Sequence, residues 1–204
     1  MLRIACVVCG ALEENAYVVE NEGRAGAFLI DPGDDYAALM RALSGRKLEA
    51  ICLTHAHYDH MLAAPGLIAD TGAKLYAGAK DMPALNDARL NLYAPEWSRL
   101  PAPQGLKAIA YGEELTVCGV KLEVLSTPGH TPGGVCLYAR DEGVLFSGDT
   151  LFCAGYGRVD FPGSSAADMR RSLLKLFELP GETRVLPGHG KETTIARERA
   201  RYQL

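Results

Sequence analysis

Within the six residues 55–60 of the segment Thr54-His55-Ala56-His57-Tyr58-Asp59-His60, four side chains offer a nitrogen or oxygen donor, in the pattern H-x-H-x-D-H. Imidazole and carboxylate are the groups that hold zinc, iron or manganese in proteins. In an extended segment His55 and His57, two apart, project to the same side. Asp59 and His60 follow where the chain turns toward a helix, so they face a neighbouring point. One short loop thereby offers donors to two adjacent cations. For a lone histidine a solvated or satisfied side chain is the better reading; four donors this close reverse it.

Three later loops each add one donor. His130 lies in Thr127-Pro128-Gly129-His130-Thr131-Pro132-Gly133-Gly134, where proline and glycine fix a tight turn. Asp149 lies in Ser147-Gly148-Asp149-Thr150, after the apolar run ending at Phe146, and His189 in Pro187-Gly188-His189-Gly190. Alone, His130 reads equally as a turn residue or a ligand, and Asp149 equally as a helix cap or turn former. As a set they supply what a half-filled dinuclear site lacks. All five histidines of the chain fall in loops after expected strands, where a scaffold fixes functional side chains.

The elements that must position these loops follow from periodicity. Strands are expected over 2–9, 16–20, 26–31, 49–54, 74–76, 115–118, 121–126, 134–139, 143–147 and 184–186, with a polar turn at Glu13-Glu14-Asn15. Helices are expected over 35–43, 61–70 and 166–179, and in a polar segment at the C-terminus. Residues 80–105, rich in Pro, Asn and Asp, read as a helical or irregular excursion. Within it 86–104, with Tyr93 and Trp97, read either as a cap on a pocket or as packing. Strand-rich halves interrupted by single helices predict two sheets covered by helices, in one mixed α/β domain over 1–204.

Bulk composition agrees with an enzyme. The 204 residues are 48% hydrophobic and 23% charged, with a formal net charge of −4 and no block of like charge. That balance excludes a disordered tail and argues against a phosphate-neutralising nucleic-acid surface. No stretch reaches the roughly 18 apolar residues of a membrane span, and the N-terminus lacks a leader pattern, so a cytoplasmic protein is expected. Of six cysteines only Cys6 and Cys9 form a C-x-x-C pair. The pair sits in the opening strand without a second pair, so buried or incidental thiols are expected rather than a redox or metal role.

These residues carry a resemblance. The chain resembles the metallo-β-lactamase-fold hydrolases, and within them the glyoxalase II-like (hydroxyacylglutathione hydrolase-like) group, over nearly its whole length. The matching segments are Asn15-Ala16-Tyr17, Asp31-Pro32-Gly33, the 54–60 loop, the turn around His130, Gly157 to Gly163, and Leu186 to Gly190. The resemblance implies a four-layer αββα sandwich with two metals at one edge. His55, His57 and His130 would hold the first, Asp59, His60 and His189 the second, and Asp149 would bridge them. Asp31 would stand behind the ligands, though a turn-forming role before Pro32-Gly33 reads equally well. Zinc is the first choice of metal, with iron or manganese also suited.

The implied activity is hydrolysis of an acyl thioester by a hydroxide shared between the metals, with Asp59 helping to pass a proton to the leaving group. No G-x-S-x-G elbow offers a serine nucleophile. Against true β-lactamases stands the bridging Asp149. Leu151 and Phe152 stand where lactonases place a tyrosine, and flavodiiron proteins prefer a glutamate at the His57 position. The nearest rival is a persulfide dioxygenase, with one iron on the equivalents of His55, His130 and Asp149. A catalytically silent binding protein on the same scaffold would be expected to have lost a ligand. Arg158 matches a basic, substrate-facing position of the family, but Asp160-Phe161-Pro162 stands where larger members use a tyrosine. The chain also stops soon after His189, without the basic helical extension that holds glutathione in full-length glyoxalase II. A small-molecule thioester on a looser or different thiol carrier is therefore expected.

Overall fold

The computed structural model describes residues 2–202. Its first six-stranded sheet runs in the order β1 (Leu2–Cys9), β2 (Glu14–Asn21), β3 (Gly26–Ile30), β4 (Lys47–Cys52), β5 (Lys74–Ala77), β6 (Ile109–Ala110). The second runs from β7 (Glu114–Val117) through β8 (Val120–Ser126), β9 (Val135–Ala139), β10 (Val144–Gly148) and β11 (Arg184–Pro187) to β12 (Thr193–Thr194). Helices α1 (Tyr36–Leu43) and α2 (Ala64–Thr71) interrupt the first half, and α3 (Ala166–Leu176) and α4 (Ile195–Arg199) the second.

Side-chain alternation along the strands sorts the apolar residues into three cores, which make four layers. Val18, Leu29, Ile51 and Leu75 point one way from the first sheet, onto Leu39 and Leu43 of α1 and Leu67 of α2. Val19, Phe28, Ile30 and Cys52 point the other way and meet Leu122, Leu137, Phe146 and Leu186 of the second sheet. Tyr138, Leu145 and Val185 leave that sheet's outer face and pack on Met169, Leu173 and Leu176 of α3 and Ile195 of α4. The order of layers is αββα, as expected. Both long strand-facing helices bury residues four apart, Leu39 with Leu43 and Met169 with Leu173.

Strand direction decides where the loops emerge. β3, β4 and β5 are parallel, so the chain leaves β3 and β4 on one side. β8 and β10 are both antiparallel to β9, and β11 is parallel to β10, so these three also end together. A backbone hydrogen bond from Val135 N–H to Thr54 O, 2.8 Å, ties the two sheets at that edge. There a register shift in β10 separates Phe146 from Gly148, which takes φ 47°. A Cβ on Gly148 would lie 2.2 Å from Thr54 Oγ1, so only glycine lets this strand end approach the 54–60 loop.

Several boundaries differ from expectation. The first hairpin turns at Gly10–Glu13, not 13–15: Cys9 pairs with Glu14, which makes Glu14 a buried strand residue. Helix α2 begins at Ala64 rather than Met61, because residues 58–60 form a separate 3-10 turn and Ala63 N–H goes to Gly33 O at 2.6 Å. Pro65 then sits in the first helical turn, where a missing N–H is harmless. α3 stops at Leu176, three residues early. β6 and β12, two residues each, are too short to leave a period in the sequence. The 80–105 excursion contains 3-10 turns at Ala79–Asn86 and Pro95–Trp97. Cys6 and Cys9, three apart in β1, point to opposite faces; Cys6 is exposed and Cys9 buried, and both are free thiols. No helix among the described residues is long and apolar enough to cross a membrane.

Candidate metal centre

The loops after β4, β8, β10 and β11 bring together the seven side chains named from sequence, His55, His57, Asp59, His60, His130, Asp149 and His189. Three groups have donor atoms within 4.8 Å of one another: His55 with His57 and His130, Asp59 with His60 and His189, and Asp31 with His55 and His60, which joins the first two. In the first, His57 Nδ1 and His130 Nε2 face each other at 2.8 Å. In the second, Asp59 Oδ2 lies 3.3 Å from His189 Nε2 and 3.7 Å from His60 Nε2.

Asp149 stands between the first two groups with one oxygen toward each. Its Oδ2 lies 3.4 Å from His130 Nε2, while Oδ1 lies 3.4 Å from His60 Nε2 and 3.8 Å from His189 Nε2. A carboxylate placed this way has the geometry of a bridge. Gly188 makes room for it, since a Cβ there would come within 2.4 Å of Asp149 Oδ1 and 2.6 Å of His60 Cε1.

The ring nitrogens facing away from the centre are held. His130 Nδ1 bonds to Arg158 O at 2.8 Å, His189 Nδ1 to Leu12 O at 3.0 Å and His55 Nδ1 to Thr54 Oγ1 at 3.1 Å. His60 Nδ1 meets Asp31 Oδ2 at 3.1 Å, and Asp31 also accepts from Thr54 N–H at 2.7 Å and Thr54 Oγ1 at 2.6 Å. Asp31 is thus occupied by donors and orients His60 instead of adding a ligand atom. Such outward bonds fix tautomer and ring angle and leave the inward nitrogens as lone pairs.

Whether the residues fit a pair of cations can be tested on the atoms left over. His55 Nε2, His60 Nε2 and Asp149 Oδ1 are buried and without hydrogen-bond partners. Each such atom costs about 1–3 kcal/mol if nothing meets it, and all three point into the centre. The electrostatics agree. Burial pushes His55 far below the ordinary histidine range and His57 down to about 3, so both are neutral and free to act as donors. Burial works against charge on His60 and His189 too, but Asp59 and Asp149 outweigh it and hold both up. Against the same burial, His60 holds the carboxyls of Asp59 and Asp149 below their usual range. Carboxylates that draw protons onto imidazoles would draw divalent cations in their place. The residues fit two metals.

A family model described as the metallo-beta-lactamase superfamily matches residues 9–189. The chain belongs to that superfamily. Among superfamily members, it is 34% identical to the probable metallo-hydrolase YqgX of Bacillus subtilis, over 93% of this chain and 90% of that one. It is 29% identical to the hydroxyacylglutathione hydrolase GloC of Haemophilus influenzae, over 97% and 95%. The crystal structure of TTHA1623 in a di-iron-bound form superposes with a TM-score of 0.86 and 38% identity, covering 96% of each chain. A metal-dependent hydrolase with histidine-rich metal sites is therefore the coarse assignment.

Two buried acids near this metallo-beta-lactamase-type centre escaped sequence reasoning. Asp81 accepts from Gly133 N–H (2.6 Å), Thr131 Oγ1 (2.7 Å) and Ala56 N–H (3.2 Å), clamping the His130 loop to the 54–60 loop. It sits in the irregular 80–105 excursion, which carries no period to mark it. Glu14 is fully buried, neither oxygen has a hydrogen-bond partner among the described residues, and Oε1 lies 3.7 Å from His60 Nδ1. Burial pushes its carboxyl well up. In sequence Glu13-Glu14-Asn15 reads as a polar turn, whereas in the structure every residue from Glu14 to Val19 is buried.

The centre opens into a cavity of about 480 Å³ whose floor includes His57, Asp59, His130, Asp149 and His189. Leu92, Ala94 and Trp97 of the 86–104 segment line it, whereas Tyr93 turns away to bond Leu100 O. Arg158 reaches the wall, as expected from sequence, but is paired with Asp160.

Proposed function

We propose that the protein is a dinuclear metal-dependent thioester hydrolase of hydroxyacylglutathione hydrolase type, acting on a small-molecule acyl thioester. The observation that carries this reading is the split of Asp149, one oxygen toward each group of three donors. His55, His57 and His130 would hold one cation, Asp59, His60 and His189 the other, with Asp149 shared. Zinc is the proposed metal, with iron or manganese suited to the same donors. When bound, the pair supplies Lewis acidity and an activated water at neutral pH.

The protein's own groups do the rest. The cavity receives an acyl carbonyl over the floor, between largely apolar walls. Asp59 lines that cavity and contacts both His60 and His189. It is proposed to hold charge at the second position and to return a proton to the departing thiolate. Hydrolysis breaks the acyl carbon–sulfur bond, adds the oxygen of water to the acyl carbon and leaves a free acid and thiol. The GloC relative, named a hydroxyacylglutathione hydrolase, supports this choice of bond.

The test is thiol release from S-lactoylglutathione and from simple acyl thioesters by protein loaded with two metals. Stoichiometric thiol release is expected. Full loading without cleavage of any thioester would end the reading. One iron per chain with oxygen-dependent sulfite formation from glutathione persulfide would replace it with the persulfide dioxygenase reading.

A further inference from the structure

The chemistry of the cavity wall says more about the substrate than its floor does. Leu12, Leu92, Trp97, Phe152, Tyr156 and Phe161 surround the opening. Three of them stay exposed, Leu12 at 41%, Trp97 at 55% and Tyr156 at 46%, although most large apolar side chains of the molecule are buried. Apolar surface gathered around one concavity marks a place where an apolar group is received.

Charge on the wall points the same way. Arg158 is the only lysine or arginine among the described residues lining the cavity. Its Nε and Nη2 reach Asp160 Oδ1 and Oδ2 at 2.9 and 2.8 Å, and its guanidinium lies 4.1 Å from the centre of the Phe161 ring. The pair occupies the Nε/Nη2 edge of the guanidinium and cancels its net charge, with both side chains largely exposed. The wall thus carries no net positive charge to attract an anionic carrier.

We propose that the cavity selects acyl thioesters that are apolar and uncharged on both sides of the scissile carbon–sulfur bond, and disfavours carriers with carboxylates, such as glutathione. This rests on the thioesterase reading above. The apolar wall receives an aromatic or branched acyl chain, and the Arg158–Asp160 pair leaves the wall without net positive charge for anions. Hydrolysis consumes one water and releases the acyl acid and a neutral thiol.

The test compares kcat/KM for S-phenylacetyl-N-acetylcysteamine and its S-acetyl analogue with that for S-lactoylglutathione, using metal-loaded protein. The phenylacetyl compound should exceed both others by at least about tenfold, the scale of a one- or two-methylene difference in an apolar pocket. Trp97→Ala should lower kcat/KM for the phenylacetyl compound by a several-fold larger factor than for lactoylglutathione. Asp160→Asn should raise the ratio of kcat/KM for lactoylglutathione to that for the neutral thioesters several-fold, by freeing Arg158. Equal or better use of lactoylglutathione by the unaltered protein, with no response to Asp160→Asn, would overturn the inference and leave the thioesterase reading standing. Failure to cleave any of the three would remove both.

Discussion

At the scale of the residue, the account depends on two aspartates with different tasks. Asp149 touches both groups of three donors, so Asp149→Ala removes a ligand from each. We expect activity to vanish and bound metal to fall from two equivalents to one or fewer by elemental analysis; wild-type turnover would show that Asp149 is not shared. Asp31 has both oxygens engaged by Thr54 and holds His60 Nδ1 at 3.1 Å. Asp31→Ala should therefore weaken metal binding by about 10–100-fold, the usual effect of losing a partner behind a ligand. A metal titration reads that directly. The ligand types were legible in the sequence because histidine and aspartate seldom cluster at loop starts without a use. The same signal could not separate Asp31 the orienter from Asp31 the turn former, since both need an aspartate before Pro32-Gly33. The hydrogen bonds to Thr54 and His60 decide for the first.

At the scale of the element, the site is an arrangement of strand ends. Short apolar runs announced nearly every strand, and the residues following them carried the donors, so the positions of the loops were legible. How the loops grip one another was not. Asp81 lies 50 residues from Thr131 and 25 from Ala56, and nothing local distinguishes it from a solvent-exposed loop aspartate. Its side chain is nonetheless buried, with three donors pointing at it. Asp81→Ala leaves the buried N–H groups of Ala56 and Gly133 unsatisfied, and should cost about 2–4 kcal/mol of stability. Denaturant unfolding should show a lower midpoint, with metal affinity reduced because the His130 loop loses its anchor. An unchanged midpoint would mean that water replaces the carboxylate and the clamp is dispensable. Glu14 gives the complementary lesson. In sequence an acidic pair beside asparagine mimics a turn, and only the Cys9–Glu14 register shows the strand beginning there.

At the scale of the whole molecule, two sheets covered by helices were foreshadowed by strand-rich halves interrupted by single helices. The pairing order and the convergence of strand ends needed the structure. Phe146 belongs to the core between the sheets, fully buried and edge-on to Tyr17 at 5.4 Å, three residues before Asp149. Phe146→Ala should cost about 3–5 kcal/mol through the cavity it leaves. Thermal unfolding should fall accordingly, and a loss below 1 kcal/mol would indicate that the two sheets repack freely. Everything else depends on one molecular property, the convergence of loops from both sheets on two neighbouring cation positions. The most direct test is titration of metal-free protein with zinc, followed by calorimetry and by elemental analysis after removal of excess metal. The account predicts two equivalents per chain, the second abolished by Asp149→Ala; a single equivalent in the unaltered protein, or none, would contradict it.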